Sequence, residues 1–227
     1  MAANAAAATT AQQPTTPEPT PAPATPGGPA AFVRSGSPSR NQVALTFHCN
    51  GAPALATKLL DLLREHSVPV TVFAVGNWLD DNPPLAKRIV DDGHELANHT
   101  WSHQPMGPMG RAAMADEIKR CAEVLTRYLG SIGSWFRPSG IEVPTPAILA
   151  EAGKVGYRTS VGYDVDSLDF QDPGAAAVRR NVANGVRAGS IVSLHFGHAN
   201  TPEAMPGILD DLVSKSLTPV TVSTLLH

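Results

Sequence analysis

The feature that most constrains the fold of this chain is a regular alternation of short apolar runs with amphipathic segments after Gln42. Short runs rich in β-branched residues predict strands, and apolar residues spaced three and four apart predict helices. Strands that alternate with helices pair in parallel through right-handed crossovers. The sequence therefore predicts an α/β fold with a parallel sheet, either a barrel or a doubly wound sheet. No glycine-rich phosphate loop follows the first run, which disfavours the nucleotide-binding form of the doubly wound sheet.

Seven strands are predicted, with a helix after each of the first six. The strands cover residues 43–47, 68–75, 95–98, 134–136, 157–162, 191–194 and 219–222. Thr145 and Thr201, each followed by proline, are expected to cap the helices that begin there. Gly93 and Gly130 are expected to end two others, because glycine adopts the left-handed backbone of a helix end without steric cost.

Residues 1–40 differ from the rest because Ala, Pro and Thr dominate them. Such a segment has too few large apolar side chains to offset the entropy lost on ordering, and repeated proline favours an extended spacer. We therefore expect a disordered Ala/Pro/Thr-rich linker over residues 1–40 and one globular domain over residues 41–227. Spacers of this kind are common in exported wall proteins. We expect an extracytoplasmic protein, secreted or associated with the cell envelope, whose signal or anchor is not present in this chain; a cytoplasmic protein with a disordered tail is the alternative.

Composition disfavours several classes of partner. The 17 basic and 20 acidic residues give a net charge of −3, and no basic stripe with interleaved aromatics is present, so we expect no nucleic-acid partner. No apolar run approaches the ~18 residues of a membrane-spanning helix. Two cysteines do not make a disulfide framework, and Cys121 lies on the apolar face of a predicted helix, where burial is expected.

Unusual polar residues follow the predicted strands directly. In an α/β barrel the carboxyl ends of the strands converge on one rim, where active sites are built. Five separate segments therefore point to a candidate site at this rim, and they supply the residues His48, Cys49, Asn50, His99, His103, Arg137, Asp164, Asp166, Asp169, His195 and His198.

The residue types at the rim suggest chemical roles. On one helical turn, His99 and His103 can face a single metal ion, although two surface histidines would show the same spacing. Arg137 can orient a carboxylate or bind substrate oxygens, or it can form a structural salt bridge. His195 can act as a general acid with Asp169 on its second nitrogen, or it can be a hydrogen-bonded core histidine.

Five motifs carry a family resemblance. They are Thr46-Phe47-His48-Cys49-Asn50-Gly51, His99 to His103, Arg137-Pro138-Ser139-Gly140, Asp166-Ser167-Leu168-Asp169-Phe170 and Leu194-His195. In this order, and over nearly all of residues 41–227, the chain resembles the polysaccharide deacetylases, also called NodB-homology domains or carbohydrate esterase family 4. The resemblance implies a distorted (β/α)7 barrel. It also implies a divalent metal, often zinc, and hydrolysis of N- or O-linked acetyl groups on a glycan such as peptidoglycan, chitin or xylan.

The resemblance assigns roles by motif position. His99 and His103 would be metal ligands, and His195 would be the acid for the departing amine, with Asp169 behind it. Arg137 would be the cation that holds the catalytic base.

Three further residues of these motifs are expected to bind the substrate. They are Trp101, Pro138 and Leu194. Trp101 would stack on a sugar ring at the rim, although a core position is equally consistent with its sequence.

The first motif departs from the family, because both of its aspartates are replaced. The base position holds His48, and the ligand position holds Cys49, or Asn50 if the loop carries one extra residue. His48 can complete a three-histidine zinc site, or it can replace the base while Cys49 or Asn50 reaches the metal. A third possibility is that the site is inactive. The cation of Arg137 would keep His48 neutral, which suits both ligand and base roles.

These features lead to one main functional hypothesis and two alternatives. The main hypothesis is a metal-dependent hydrolase that removes acetyl groups from a cell-envelope or environmental polysaccharide. Loss of the first-motif aspartates favours a catalytically impaired, glycan-binding pseudo-deacetylase instead. A more distant alternative is another metallohydrolase on an α/β barrel, such as an amidase.

Overall fold

The computed structural model describes residues 27–227. Its strands are β1 Ala31–Val33, β2 Gln42–Cys49, β3 Thr71–Ala74, β4 Glu95–Asn98, β5 Trp135–Phe136, β6 Thr159–Val161, β7 Val165–Asp166, β8 Ile191–His195 and β9 Thr218–Val220. Its helices are α1 Pro53–Glu65, α2 Gly76–Asp81, α3 Pro83–Asp91, α4 Arg111–Leu129, α5 Pro146–Val155, α6 Ala175–Gly185, α7 Asn200–Ser214 and α8 Val222–Leu226. A 3-10 turn at Asp169–Gln171 follows β7.

All the paired strands of the sheet run parallel. Their order is β1-β6-β5-β4-β3-β2-β8-β7, and β9 pairs with β2 beside the start of β8. The two edges of the curled sheet meet through an antiparallel bridge between Ser35 and Ser190. The short segment from β6 to β7 crosses between these edges, with Gly162 N–H donating to Val33 O and Asp164 N–H donating to Ile191 O. This arrangement is a distorted (β/α)7 barrel, which confirms the expected fold.

The sheet begins earlier in the chain than the expected domain boundary. β1 lies within the residues assigned to the spacer, yet it pairs in register with β6, and Ala30 beside it is buried. Gly36 N–H also donates to Gly189 O, so this segment supplies one edge of the barrel closure. The boundary at residue 40 is therefore wrong for this segment. Three apolar residues are too short a run to signal a strand among so many prolines. The rest of the expected linker, residues 1–26, lies outside the described residues.

The predicted elements are found with boundaries shifted by a few residues, and besides β1 three short elements, β7, α2 and α8, were not predicted by the sequence. β7 is only two residues long, and α2 follows β3 directly at Gly76. The predicted cap at Thr145 is confirmed, since its side chain accepts from Ile148 N–H. The predicted cap at Thr201 is wrong: α7 begins one residue earlier, and the Thr201 hydroxyl is committed to Asp169.

The alternation of side chains along β2 decides which residues reach the site. Phe47 and Cys49 are fully buried in the core between the sheet and the helices. Ala44 belongs to the core inside the barrel, and Thr46 and His48 share its side of the strand. His48 therefore lies inside the barrel at the carboxyl end of β2, whereas Cys49 points away from the interior.

Candidate active site

The carboxyl ends of the strands bring the predicted polar residues together inside the rim. His48 is the next-to-last residue of β2 and is paired in register with His195, the last residue of β8. His99 follows β4, and Arg137 follows β5. Asp169 begins the turn after β7 and is fully buried.

Asp169 is the carboxylate of this site, and both of its oxygens are used. Oδ1 lies 2.6 Å from His195 Nδ1, and Oδ2 accepts from His195 N–H at 2.8 Å and from the Thr201 hydroxyl at 2.6 Å. Burial alone would raise the pKa of Asp169, but these hydrogen bonds and the neighbouring imidazole outweigh burial and lower it. An ionised Asp169 accepts the Nδ1 proton of His195, which leaves Nε2 of His195 pointing toward His48.

His48 bridges Arg137 and His195 with its two ring nitrogens. Its Nε2 lies 3.0 Å from Nη1 of Arg137, and its Nδ1 lies 2.8 Å from Nε2 of His195. Because a guanidinium can only donate, Nε2 of His48 must accept. The proton of a neutral His48 is then on Nδ1, and it is donated to the lone pair of His195. The series of hydrogen bonds from Arg137 through His48 and His195 to Asp169 thus has one consistent set of donors and acceptors.

The charge state of His48 fits this arrangement. Burial is the main cause that lowers the pKa of His48 well below its ordinary value, and the neighbouring His99 and Arg137 lower it further. Arg137 acts on His48 in the expected direction, although burial contributes more than the cation. A neutral His48 whose Nε2 is held by Arg137 is an N–H donor at the site, with no free lone pair.

Arg137 is a buried cation with neutral partners. Its guanidinium donates to Val161 O, Gly162 O and the Thr46 hydroxyl at 2.8, 2.9 and 3.0 Å, in addition to His48. Burial lowers the pKa of Arg137 to about 9, so it stays charged at neutral pH. None of these partners is a carboxylate, so Arg137 does not orient a carboxylate here and instead fixes His48.

His99 and His103 lie together, but not on a helical turn as the sequence suggested. Thr100 and His103 have φ of 68° and 61°, which is left-handed backbone, and the segment is a loop. Asn98 Oδ1 accepts from Thr100 N–H, and this hydrogen bond holds the bend directly after β4. The ring centroids of His99 and His103 are 5.0 Å apart. The pair is therefore brought together by a tight loop and not by helical spacing.

The hydrogen bonding of His99 is that of a metal ligand. Its Nδ1 donates to Arg137 O at 2.9 Å, which fixes the tautomer and leaves Nε2 with a free lone pair. Burial is the first cause that lowers the pKa of His99 well below its ordinary value, and His103 beside it is the second. Both effects favour the neutral imidazole that a metal requires.

The third ligand expected from the sequence does not fit. Both nitrogens of His48 are committed, and its ring is stacked flat against His99 with centroids 4.4 Å apart. Cys49 is in the core on the other side of β2, where burial raises its thiol pKa well above the ordinary value. Residues 27–227 contain no group of three His, Cys, Asp or Glu side chains placed to hold one metal ion. The chain thus offers two imidazoles to a divalent cation, and Asn50 is the remaining expected ligand.

The three predicted substrate-binding residues are buried or covered by other side chains. Leu194 is fully buried in the core between sheet and helices, and Pro138 is buried. The ring of Trp101 is covered by the Arg120 guanidinium, whose Cζ lies 4.1 Å from the ring centroid. A Cβ at Gly76 would lie 2.8 Å from the same indole, so the ring packs tightly against that residue too. The positions of Leu194 and Trp101 disfavour the expected sugar contacts, because motif position does not show which side of a strand or loop a side chain takes.

Other residues take the exposed positions around His195. Phe170 is 44% exposed, and its ring centroid is 5.6 Å from that of His195. Tyr163 lies between the ends of the sheet and faces His48, with ring centroids 6.4 Å apart. His198 lies on another side of His195 and is hydrogen-bonded to Asp172. Phe170 and His198 were visible in the sequence as neighbours of Asp169 and His195, whereas nothing in the sequence indicated Tyr163.

Comparison with known proteins identifies the family of this chain. Residues 35–160 match the sequence profile named Polysaccharide deacetylase. A chitin deacetylase of Pestalotiopsis sp is 33% identical over 193 residues, which cover 82% of this chain and 64% of that protein. The first two curated relatives that the chain matches are longer than it is, and the alignments span 60% and 64% of their lengths.

Two solved structures share the fold. The Bc1960 peptidoglycan N-acetylglucosamine deacetylase superposes with a TM-score of 0.81 at 27% identity, covering 87% of this chain and 93% of that one. A structure described as the CE4 family pseudoenzyme BA3943 from Bacillus anthracis gives a TM-score of 0.81 at 23% identity, covering 87% of this chain and 69% of that one, and this likeness concerns the fold alone. From the sequence profile, the identity with the chitin deacetylase and the shared barrel, we conclude that this chain belongs to the polysaccharide deacetylase family.

Proposed function

We propose that this chain is a metal-dependent hydrolase that removes acetyl groups from an acetylated polysaccharide outside the cytoplasm. The observation that carries the proposal is the orientation of His99, whose Nε2 is free beside His103 while Nδ1 is held by Arg137 O. The resemblance to a chitin deacetylase and to a peptidoglycan deacetylase supports a chitin-like, peptidoglycan-like or xylan-like substrate. A substrate of this kind lies outside the cytoplasmic membrane. Among residues 27–227, no helix is both long and apolar enough to cross a membrane.

We assign the divalent cation to His99 and His103. Two neutral imidazoles suit zinc, and Asn50, which follows β2, is the proposed third protein donor. A bound zinc ion would polarise the acetyl carbonyl of the substrate.

His48 takes a role different from that of the aspartate it replaces. Because Arg137 holds its Nε2, His48 presents an N–H group and cannot accept a proton from water. Once substrate separates His48 from His195, this N–H can donate to the acetyl oxygen as negative charge develops there. Asp169 keeps the proton of His195 on Nδ1, so Nε2 of His195 is turned toward the leaving nitrogen or oxygen.

The test combines zinc content with acetate release from chitin oligomers, peptidoglycan and acetylated xylan. We expect His99→Ala to lose zinc and activity together. We expect His48→Ala to keep zinc while acetate release falls by about 10²–10³-fold, the usual effect of removing one such donor. His48→Gln, which restores an N–H donor, should recover part of the rate. The exposed His66→Gln is the matched control. These assignments would be contradicted if His99→Ala still bound zinc, or if His48→Ala released acetate at the wild-type rate.

A second candidate function is a glycan-binding pseudo-deacetylase. The direct hydrogen bond between His48 and His195 favours it, because this bond occupies the space between the positions where base and acid are expected. If the wild-type chain binds zinc and chitin oligomers but releases no acetate from any of the three substrates, this candidate replaces the first.

A further inference from the structure

The rim holds a second His–Asp pair that the family motifs do not include. Nδ1 of His198 lies 3.1 Å from Oδ1 of Asp172, and the two residues are 26 positions apart. The pair formed by His195 and Asp169 has the same separation of 26. The turn that starts at Asp169 runs beside the loop after β8, so each carboxylate meets the imidazole opposite it. The ring centroids of His195 and His198 are 5.7 Å apart.

The second pair is held in place from several sides. Asn200 Nδ2 donates to the same Asp172 oxygen at 3.1 Å, and Asp172 has a φ of 51°, which points the turn back toward the rim. The backbone of the loop is fixed as well, because a Cβ on Gly51 would lie 2.7 Å from Gly197 Cα. Thus the altered first-motif loop packs directly against the residue before His198.

The two histidine–aspartate pairs differ in whether Nε2 of the histidine is used. Nε2 of His195 accepts the proton of His48, so its lone pair is occupied. Among residues 27–227, the side chain of His198 is hydrogen-bonded through Nδ1 alone, and 28% of it is exposed. A carboxylate on Nδ1 fixes the tautomer and leaves the lone pair of Nε2 free to take a proton. The His198 ring contacts Asp172 and His195, Asn200 hydrogen-bonds to the same oxygen of Asp172, and none of these contacts uses Nε2 of His198.

We propose that His198, oriented by Asp172, is the base that activates water in this chain, replacing the lost aspartate of the first motif. This assignment rests on the proposed hydrolase function. A water molecule transfers a proton to Nε2 of His198, and its hydroxyl oxygen forms a bond to the acetyl carbon. When the bond from that carbon to the sugar nitrogen or oxygen breaks, the same proton moves from Nε2 of His198 to the leaving atom, either directly or through Nε2 of His195. Acetate and the free sugar group are released, and no redox change occurs.

The proposal is tested on the full chain with Zn²⁺ and chitin oligomers, using His198→Gln, Asp172→Asn and His195→Gln, with His66→Gln as the control. We expect His198→Gln to lower kcat by about 100-fold or more with little change in KM, as for loss of a general base. Asp172→Asn should lower kcat by a smaller factor, because the imidazole stays but its tautomer is no longer fixed. External imidazole should restore part of the acetate release of His198→Gly, which a purely structural role would not allow.

The outcomes separate this assignment from the function on which it rests. If His198→Gln leaves kcat unchanged, or if external imidazole restores no acetate release to His198→Gly, the assignment of His198 as the base is overturned. If the wild-type chain releases no acetate with Zn²⁺, Co²⁺ or Mn²⁺, the hydrolase proposal itself fails, and the role of His198 as a base fails with it.

Discussion

The two ends of the barrel interior each hold a polar cluster, and the clusters differ in how completely their groups are used. At the amino end, the floor cluster is formed by Thr71, Glu95, Trp135 and Ser223. Glu95 accepts from the Thr71 hydroxyl and the Trp135 indole, both at 2.8 Å, and from the Ser223 N–H and hydroxyl. One carboxylate thus joins three strands or helices through neutral donors, and this ties α8 to the end of the barrel.

At the carboxyl end, the rim cluster contains His48, His99, Arg137, Asp169 and His195. It combines one buried carboxylate with a buried guanidinium and several imidazoles, and the Nε2 lone pair of His99 stays free. Both clusters contain a carboxylate, yet only the rim cluster has an imidazole lone pair, that of His99 Nε2, which the hydrogen bonds of the cluster do not use. This difference separates a cluster that stabilises the fold from one that is equipped to bind and react.

The largest effect is expected at Asp169, which links the rim cluster to the fold. Asp169→Asn replaces an acceptor of three hydrogen bonds with a group that must turn an N–H toward a donor. We expect the free energy of unfolding to fall by about 3 kcal/mol, as for buried polar groups left without partners. Urea unfolding measures this change, and the exposed Asp80→Asn is the control. A loss below about 1 kcal/mol would contradict the central position of Asp169.

The same variant gives a prediction on pH. The folded chain lowers the pKa of Asp169 below its unfolded value of about 3.9, so the unfolded state binds more protons in the range below that value. The stability from Asp169 is therefore fully present above about pH 4 and is lost as pH falls through the folded pKa. In unfolding experiments from pH 7 downward, Asp169→Asn should lose less stability below pH 4 than the wild type. An equal acid slope in both proteins would show that Asp169 is not the responsible group.

The next effect concerns metal binding and sharpens the contrast between the two clusters. Loss of a residue that hydrogen-bonds to a metal ligand typically weakens metal binding by about 10–100-fold. We expect His99→Ala to weaken zinc binding by more than this, because His99 is itself a proposed ligand. Glu95→Gln should leave zinc binding unchanged, because the floor cluster lies at the other end of the barrel. Isothermal titration with Zn²⁺ compares the two variants. Equal zinc affinities in His99→Ala and the wild type would remove His99 from the proposed site.

Glu95→Gln tests the structural role of the floor cluster. Glutamine keeps one acceptor oxygen but places an N–H₂ group against the donors of Trp135 or Ser223. We expect a loss of about 1–3 kcal/mol in the free energy of unfolding, with zinc affinity and acetate release as in the wild type. A variant with wild-type stability, or one that loses acetate release while remaining folded, would break the comparison between the clusters.

The smallest effect is expected at Arg120, which covers Trp101. Arg120→Ala should lower the stability by about 0.5–1 kcal/mol, the size of an exposed cation–π contact. It should not alter binding of chitin oligomers, because the indole lies against α4 and Gly76 and does not face the rim. Thermal unfolding and a binding titration measure both quantities. Weaker glycan binding in this variant would restore the original expectation that Trp101 contacts the sugar.

The sequence by itself determined the fold class and the location of the site. The period of the apolar residues separates strands from helices, and the order of the elements requires a parallel sheet whose strand ends converge. It follows that His48, His99, Arg137 and His195 meet at one rim, since each lies at the carboxyl end of a strand. These conclusions depend on local spacing, which a single sequence records directly.

The tertiary structure decided what each rim residue does. Whether His48 is a ligand, a base or a donor depends on which groups meet its two nitrogens, and these come from β8 and from the loop after β5. Motif position also could not predict that Leu194 points into the core or that Arg120 covers the ring of Trp101. So was the use of Ala31–Val33 as an edge strand, because three residues acquire that role only through pairing with β6. Hydrogen-bond direction and burial are set by contacts between segments far apart in the chain, and no local pattern encodes them.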